Sequence, residues 1–415
     1  MAASIVLKRF PDFLVGVAVA SALALAVPAS AQQADADPVA DAPVRIGALG
    51  LAPRVTLTNL GVDTNVFNEA GDARQDFTFT ASPGTEAWLR LGRGLVTATG
   101  RVDLVYFQKY EAERSANLYS DVRFDYRANR LRPFVGVSGI RTRERPGYEI
   151  DARAQRIESG LQVGLAARVG AKSTVEVSAH RRRYQYDGDA VFGGQALNQV
   201  LDRTLDTVQV EWQQHLTVLT TWVFRVAGER ERFEHAPERN ADTTRIQTGL
   251  ELGQFALIRG NAFVGYRRLM SADGGTLPEY SGITAEVGVS YTAPTRTRLS
   301  ADVTRDVQYS FDRANPYYVQ TGWTATLTQA IVGRFDLQLL GGRDRLAYRP
   351  VGGRTAAGES LRGTDRVNRI GGGLGYALDA DKRIGFDVQL LERLSSLQPR
   401  SYRGIRAGLS VTYGF

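Results

Sequence analysis

Cysteine is absent from all 415 residues, which excludes a disulfide framework, a thiolate metal centre and a lipid anchor on a processed N-terminal cysteine. Histidine is scarce. His180, His215 and His235 stand too far apart for a local metal motif, so neither metal nor cofactor is expected. No apolar run of helix length follows residue 27, which excludes a bundle of membrane helices. Charge of one sign is also missing: the net +7 is spread along the chain and not gathered into a tail, so nucleic acid is not an expected partner. A nucleophile elbow is lacking too, because Ser82-Pro83-Gly84 has the wrong glycine pattern. Gly341-Gly342 and Gly371-Gly372-Gly373 sit within strand-like stretches, not ahead of helices, and no enzymatic activity is expected.

The first positive feature is at the N-terminus. Lys8 and Arg9 precede an apolar stretch from Phe13 to Val27, and Ala29-Ser30-Ala31 offers small residues for cleavage. That layout predicts a secretory signal peptide over 1–31. The Ala-, Asp- and Pro-rich residues 32–52 read as a flexible periplasmic segment, and 53–415 as one further unit.

Alternation dominates that unit. Ile405, Ala407, Leu409, Val411, Tyr413 and Phe415 fall on one face of a strand, and Gly404, Arg406, Gly408, Ser410, Thr412 and Gly414 on the other. The same period of two runs through Ile283–Tyr291, Leu299–Thr304 and Ile157–Ala167. A polar chain carrying a secretion signal and many such strands predicts an all-β fold, a transmembrane antiparallel up-and-down β-barrel. Lipid offers no hydrogen bonds, so such a sheet must close on itself. The expected location is the outer membrane of a Gram-negative bacterium, with membrane lipid and lipopolysaccharide as neighbours.

Eight tight turns are expected, at Gly92-Arg93-Gly94, Asn129-Arg130, Gly170-Ala171-Lys172, His215-Leu216, Arg259-Gly260, Pro294-Thr295, Val332-Gly333 and Ala380-Asp381. Longer polar segments separate them, such as Arg143–Arg153, Asp187–Val200 and Tyr348–Thr364. Short turns alternating with long loops give about eighteen strands, or sixteen if the pair near Arg181–Asp206 is loop. Pro83 cannot donate to a ladder and is expected to mark a bulge or bend. None of the long segments stands out as a loop that folds inward, which points to a monomeric channel. Tyr106, Phe107, Tyr110, Tyr119, Tyr184, Tyr186, Tyr309, Phe311, Tyr317 and Tyr318 are expected mainly in a girdle at the outer membrane boundary.

Parity selects the inward set. Arg54, Arg90, Arg101, Arg123, Arg127, Arg182, Arg225, Arg245, Arg267, Arg298 and Arg406 are the pore-lining candidates, alongside carboxylates such as Asp125, Glu158, Glu211 and Asp306. At least half of them are expected to pair across strands, and the excess of arginine to favour anions. His180-Arg181-Arg182-Arg183 is a candidate for lipopolysaccharide phosphate or for the channel mouth.

Phe415, closing a strand whose outward face also carries Val411 and Tyr413, resembles the C-terminal signature read by the outer-membrane assembly machinery. With the signal, the Ser82-Pro83-Gly84 interruption and the Arg- and Gly-rich strands over 53–415, the chain resembles the β-barrel porin families of Proteobacteria. It is similar in particular to barrels linked to exopolysaccharide export. The resemblance implies a channel that exports an extracellular polysaccharide together with periplasmic export components. A general or anion-preferring diffusion porin and a structural or adhesive barrel stand as alternatives.

Overall fold

The computed structural model describes residues 38–253, 256–272, 274–293, 296–351, 363–379 and 382–414. The signal at 1–31, the turns at Pro294-Thr295 and Ala380-Asp381, most of the Tyr348–Thr364 loop and Phe415 lie outside the described residues.

Eighteen antiparallel strands form one closed sheet. In chain order they are β1 (Leu49–Asp63), β2 (Asp76–Leu91), β3 (Gly94–Phe107), β4 (Ser115–Tyr126), β5 (Leu131–Glu144), β6 (Ala154–Arg168), β7 (Ser173–Tyr186), β8 (Arg203–His215) and β9 (Thr220–Phe233). The second half comprises β10 (Ala241–Leu252), β11 (Ile258–Ser271), β12 (Tyr280–Thr292), β13 (Thr297–Tyr309), β14 (Tyr317–Ala330), β15 (Phe335–Arg349), β16 (Thr364–Asp379), β17 (Lys382–Leu394) and β18 (Tyr402–Gly414). Each strand pairs with its chain neighbour, and β1 closes the ring on β18, from Arg54 opposite Gly414 to Asp63 opposite Arg406. Among the described residues each of the eighteen strands is thus paired on both sides, as hydrocarbon requires.

The closure is tight. Gly61 faces Gly408, and a Cβ on Gly61 would lie 2.0 Å from the Ala407 carbonyl oxygen. The neighbouring Asn59 adopts φ 54° in a bulge that shifts register against both β2 and β18. The expected bulge at Pro83 is not there. Pro83 faces Val55 in unbroken register, and pairing with β3 keeps the same register on both sides of Ser82-Pro83. The proline's missing donor is absorbed as a local gap in the ladder with β3, and the bend falls across the strand pair at Asn59.

The first strand starts at Leu49, four residues before the expected boundary, and Val44–Ile46 folds back to pair with Leu49–Leu51. The fifth tight turn lies between Leu252 and Ile258, so Arg259-Gly260 falls inside β11. Both strands of the doubtful pair near Arg181–Asp206 exist, with Asp206 opposite Arg181.

Lipid-facing side chains follow the expected parity over most of the wall, and one place breaks the rule. Pairing between β12 and β13 ends at Ala285 opposite Arg305, although β12 runs on beside β11 to Tyr280 and β13 beside β14 to Tyr309. Below this seam Leu299, Val303 and Trp323 are 46%, 36% and 49% exposed; above it Val307, Tyr317 and Val319, of the same parity, are 3%, 1% and 2% exposed. They pack with Ala241, Leu269, Leu277 and Tyr280, so the top of the β13–β14 hairpin tucks inside the wall of β10–β12. Side chains satisfy groups that the lost ladder leaves over. Arg305 Nε donates to the Ile283 carbonyl at 3.1 Å, and Asp306 accepts the Val307 N–H at 2.8 Å.

Candidate functional site: a loop-constricted lumen

The loop between β5 and β6 does what no segment was expected to do: it crosses the barrel. Tyr148 is buried among Tyr318, Leu346, Tyr348, Val367, Leu391 and Tyr402, which belong to β14–β18 on the far side of the ring. Two arginines of that wall, Arg369 and Arg393, and Arg400 from the connection between β17 and β18 hold the loop. Arg393 donates to the Tyr148 carbonyl (2.7 Å) and pairs with Asp151 (3.0 Å) and with Asp365 (2.5 Å). Arg369 donates to the Tyr148 hydroxyl, and Arg400 to the Glu149 carbonyl. Glu149 accepts the Ser310 hydroxyl (2.5 Å) and the Phe311 N–H (3.2 Å), which ties the loop to the tucked hairpin.

The start and end of the loop are fastened as well. Arg145 donates to the Asp151 carbonyl (2.6 Å) and to Val66 O (2.8 Å), and Arg153 to Val66 O (3.0 Å). Burial lowers the pKa of Arg145. For Arg153, burial, with Arg145 and Arg406 adding like-charge repulsion, lowers it to about 9. Burial pushes the Asp151 carboxyl up against the opposing pull of Arg393 and Arg145.

Two more loops join it. The segment Leu197–Leu201, a helix of five residues, packs with Ile150, Ala154 and Phe311. Arg239, from the loop after β9, donates to the carbonyls of Val200 (2.6 Å), Pro316 (2.6 Å) and Ser310. Three loops and one hairpin therefore meet inside the extracellular half of the lumen. Between them lies a cavity of about 490 Å³, counted with its opening to solvent, lined by Glu149, Arg156, Glu158, Tyr184, Tyr186, Arg203, Tyr309 and Tyr318 among others. The girdle expectation fails for these rings. Phe107, Tyr184 and Tyr318 are buried because they share the inward parity of Asp103, Arg182 and Gln320, while Tyr317 is buried by the tucked hairpin and Phe311 among the meeting loops.

Ten of the eleven candidate arginines, Arg54, Arg90, Arg101, Arg123, Arg182, Arg225, Arg245, Arg267, Arg298 and Arg406, sit at inward positions of the strands; Arg127 lies beyond the end of β4, exposed in the turn. Pairing is extensive. Arg123 meets Asp125 (2.8 Å), Arg225 meets Glu211 (2.5 Å) and Glu251 (3.1 Å), and Arg406 meets Asp63 (2.7 Å). Arg245 and Arg267, directly opposite one another, share Asp306 (3.0 and 2.9 Å) and Glu229 (3.0 and 3.2 Å).

Sequence reasoning missed Arg156, Arg203, Arg369, Arg383 and Arg393, which pair with Glu158, Glu231, Asp344, Asp336 and Asp365. The cue existed: Arg383 and Arg393 share the parity of the inward Asp387. The run His180–Arg183 is split by the same alternation. Arg182 is buried, while Arg181 and Arg183 face outward and pair with Asp206 and Glu234. Asp202, Glu234 and His235 bring ligand atoms within 4.8 Å of one another at the mouth, although Glu234 is already engaged by Arg183.

An eighteen-stranded wall with an apolar exterior, an ion-paired interior and an inward loop defines an outer-membrane porin-type channel. Residues 37–415 match the family model described as "Putative beta-barrel porin 2", and the chain belongs to that family. It is a channel protein of the Gram-negative outer membrane and not an enzyme. Among solved structures it is similar to a BenF-like porin from Pseudomonas fluorescens Pf-5 (10% identity, 89% of this chain and 98% of that one, TM-score 0.48). It is also similar to the outer-membrane protein OpdK of Pseudomonas aeruginosa (10%, 88% and 98%, 0.47) and to the outer-membrane channel DcaP of Acinetobacter baumannii (13%, 90% and 100%, 0.42). No curated protein sequence matches the chain.

Proposed function

We propose that the barrel is a constricted diffusion channel for small polar solutes, with at most a modest preference for anions. One observation carries this reading: the loop of residues 145–153 crosses the lumen and is bonded to the far wall through Tyr148, Glu149 and Asp151. A polysaccharide strand in transit would have to displace a segment whose charged and apolar groups are all packed. Export of a polymer, the expectation from family resemblance, is therefore the less favoured use of the same channel. The inward arginines line the pathway, but Arg123, Arg225 and Arg245 each face a carboxylate within 3.0 Å, so little net field is left over.

Replacing residues 148–151 by a glycine linker tests the proposal. Single-channel conductance in planar bilayers should rise several-fold, and liposome swelling should extend to larger sugars. Unchanged conductance, or passage of long oligosaccharides by the natural protein, would rule it out.

A further inference from the structure

Two pairs of arginines stand directly opposite one another on adjacent strands, one pair inside the barrel and one outside. Like charges in that position lie with their Cβ atoms about 4.5–5.5 Å apart and repel. The inner pair, Arg245 and Arg267, is neutralised by Asp306 and Glu229. The outer pair is Arg345 on β15 and Arg366 on β16. Both are exposed, and neither has a carboxylate within salt-bridge distance among the described residues. The nearest acid of that face on the next strand, Glu392, is hydrogen-bonded by Asn368 (3.2 Å).

Their place on the wall matters as much as their charge. Arg345 shares its face with lipid-facing Leu339, and Arg366 with lipid-facing Ile370. Both lie near the extracellular ends of their strands. Arg343, two residues down β15, points the same way and is exposed. The apolar band of the barrel therefore ends, on these two strands, in three guanidinium groups at the level of the outer-leaflet headgroups. A guanidinium fork matches phosphate oxygens, and an anion lying between Arg345 and Arg366 would do there what Asp306 does inside.

We propose that Arg343, Arg345 and Arg366 form an external site for the phosphate group of an outer-leaflet glycolipid. The lipid headgroup is the occupant, and not a soluble phosphate, because the guanidinium groups continue a face that lies against acyl chains.

Native mass spectrometry of the full barrel in detergent tests this with three probes: a diphosphorylated lipid A-type glycolipid, its dephosphorylated counterpart and inorganic phosphate. The natural protein should retain the phosphorylated lipid, and Arg345→Gln with Arg366→Gln should weaken that retention about tenfold, the scale of lost charge-assisted hydrogen bonds. The lysine pair Arg345→Lys and Arg366→Lys should keep part of it, since charge remains but the fork is lost. Melting gives a readout independent of retention. The double glutamine variant should melt no lower than the natural protein in dephosphorylated lipid, where repulsion is relieved, and lower in phosphorylated lipid. Equal retention of the two lipids by the natural protein, competition by inorganic phosphate at equal concentration, or melting that ignores lipid phosphate would each overturn the assignment.

Discussion

The periplasmic and extracellular halves of this barrel are built from the same strands under different rules. Near the short turns, alternation alone places the side chains: Leu299 and Val303 face lipid, and Arg123 with Asp125 faces inward. Near the long loops, residues of the lipid-facing parity such as Val307 and Val319 are buried against the inside of the neighbouring wall. The difference lies in what each half must satisfy. In the membrane, backbone pairing is obligatory and geometry follows from the ladder. Above it, water can solvate a broken ladder, so packing among loops decides the arrangement.

The largest expected effect comes from the residue that joins the two regimes. Arg393 is a barrel-strand residue, fully buried, bonded to Asp365 of the wall and to Asp151 and Tyr148 of the crossing loop. Arg393→Ala leaves the buried Asp365 and the partly buried Asp151 without their shared cation, and a loss of about 3–5 kcal/mol is typical for breaking a buried pair. Chemical denaturation should register it as a lower midpoint. Conductance should also rise or flicker as the loop comes free. If the comparison of halves is right, Arg123→Ala near the periplasmic end should lower stability without altering the size limit for sugars.

A smaller effect is expected from the lumen charges. Replacing Arg123, Arg225 and Arg245 together by glutamine leaves Asp125, Glu211, Glu251, Glu229 and Asp306 with fewer cations. Reversal potentials in a salt gradient should then shift towards cation preference. No shift would mean that solutes pass without sensing these side chains.

How far the sequence could be read follows the same division. Strand number, closure of β1 on β18 and the inward arginines were legible because a period of two is a local property, repeated eighteen times. Arg393 could have been placed inward by its parity with Asp387. Its role could not, since it depends on Tyr148 and Asp151, more than 240 residues earlier in the chain. The crossing loop was missed for a related reason. The segment 145–153 is shorter than Asp187–Val200 or Tyr348–Thr364, and what folds it inward is the set of partners waiting on β14–β18, not its own length. Tyr318 could have been placed inward by its parity with Gln320, whereas the burial of Tyr317 depends on the split between β12 and β13, which leaves no periodic trace.

The smallest expected effect is one of pH at the mouth. Asp202 links the short helix Leu197–Leu201 to β8; its carboxylate accepts the Tyr186 N–H at 2.7 Å and its carbonyl accepts the Glu234 N–H at 3.0 Å. Burial raises its pKa to about 6; Glu234 adds to the rise, while the Tyr186 N–H, His235 and Arg183 oppose it. A carboxyl raised above its unfolded value of about 3.9 favours the docked loop while protonated and loses that contribution as pH climbs through about 6. Stability from this group is therefore complete in acid and gone near neutrality. Hydrogen exchange at Leu197–Leu201, corrected for intrinsic rates, should show weaker protection at about pH 7 than at about pH 5. Asp202→Asn should flatten that dependence, since an amide keeps the acceptor and cannot ionise. The Arg393-held loop carries its own raised carboxyl, Asp151, so its exchange should keep its own pH dependence and be unchanged by Asp202→Asn. If Asp202→Asn changes exchange in both loops together, the constriction opens as one unit and the separation drawn between its parts is wrong.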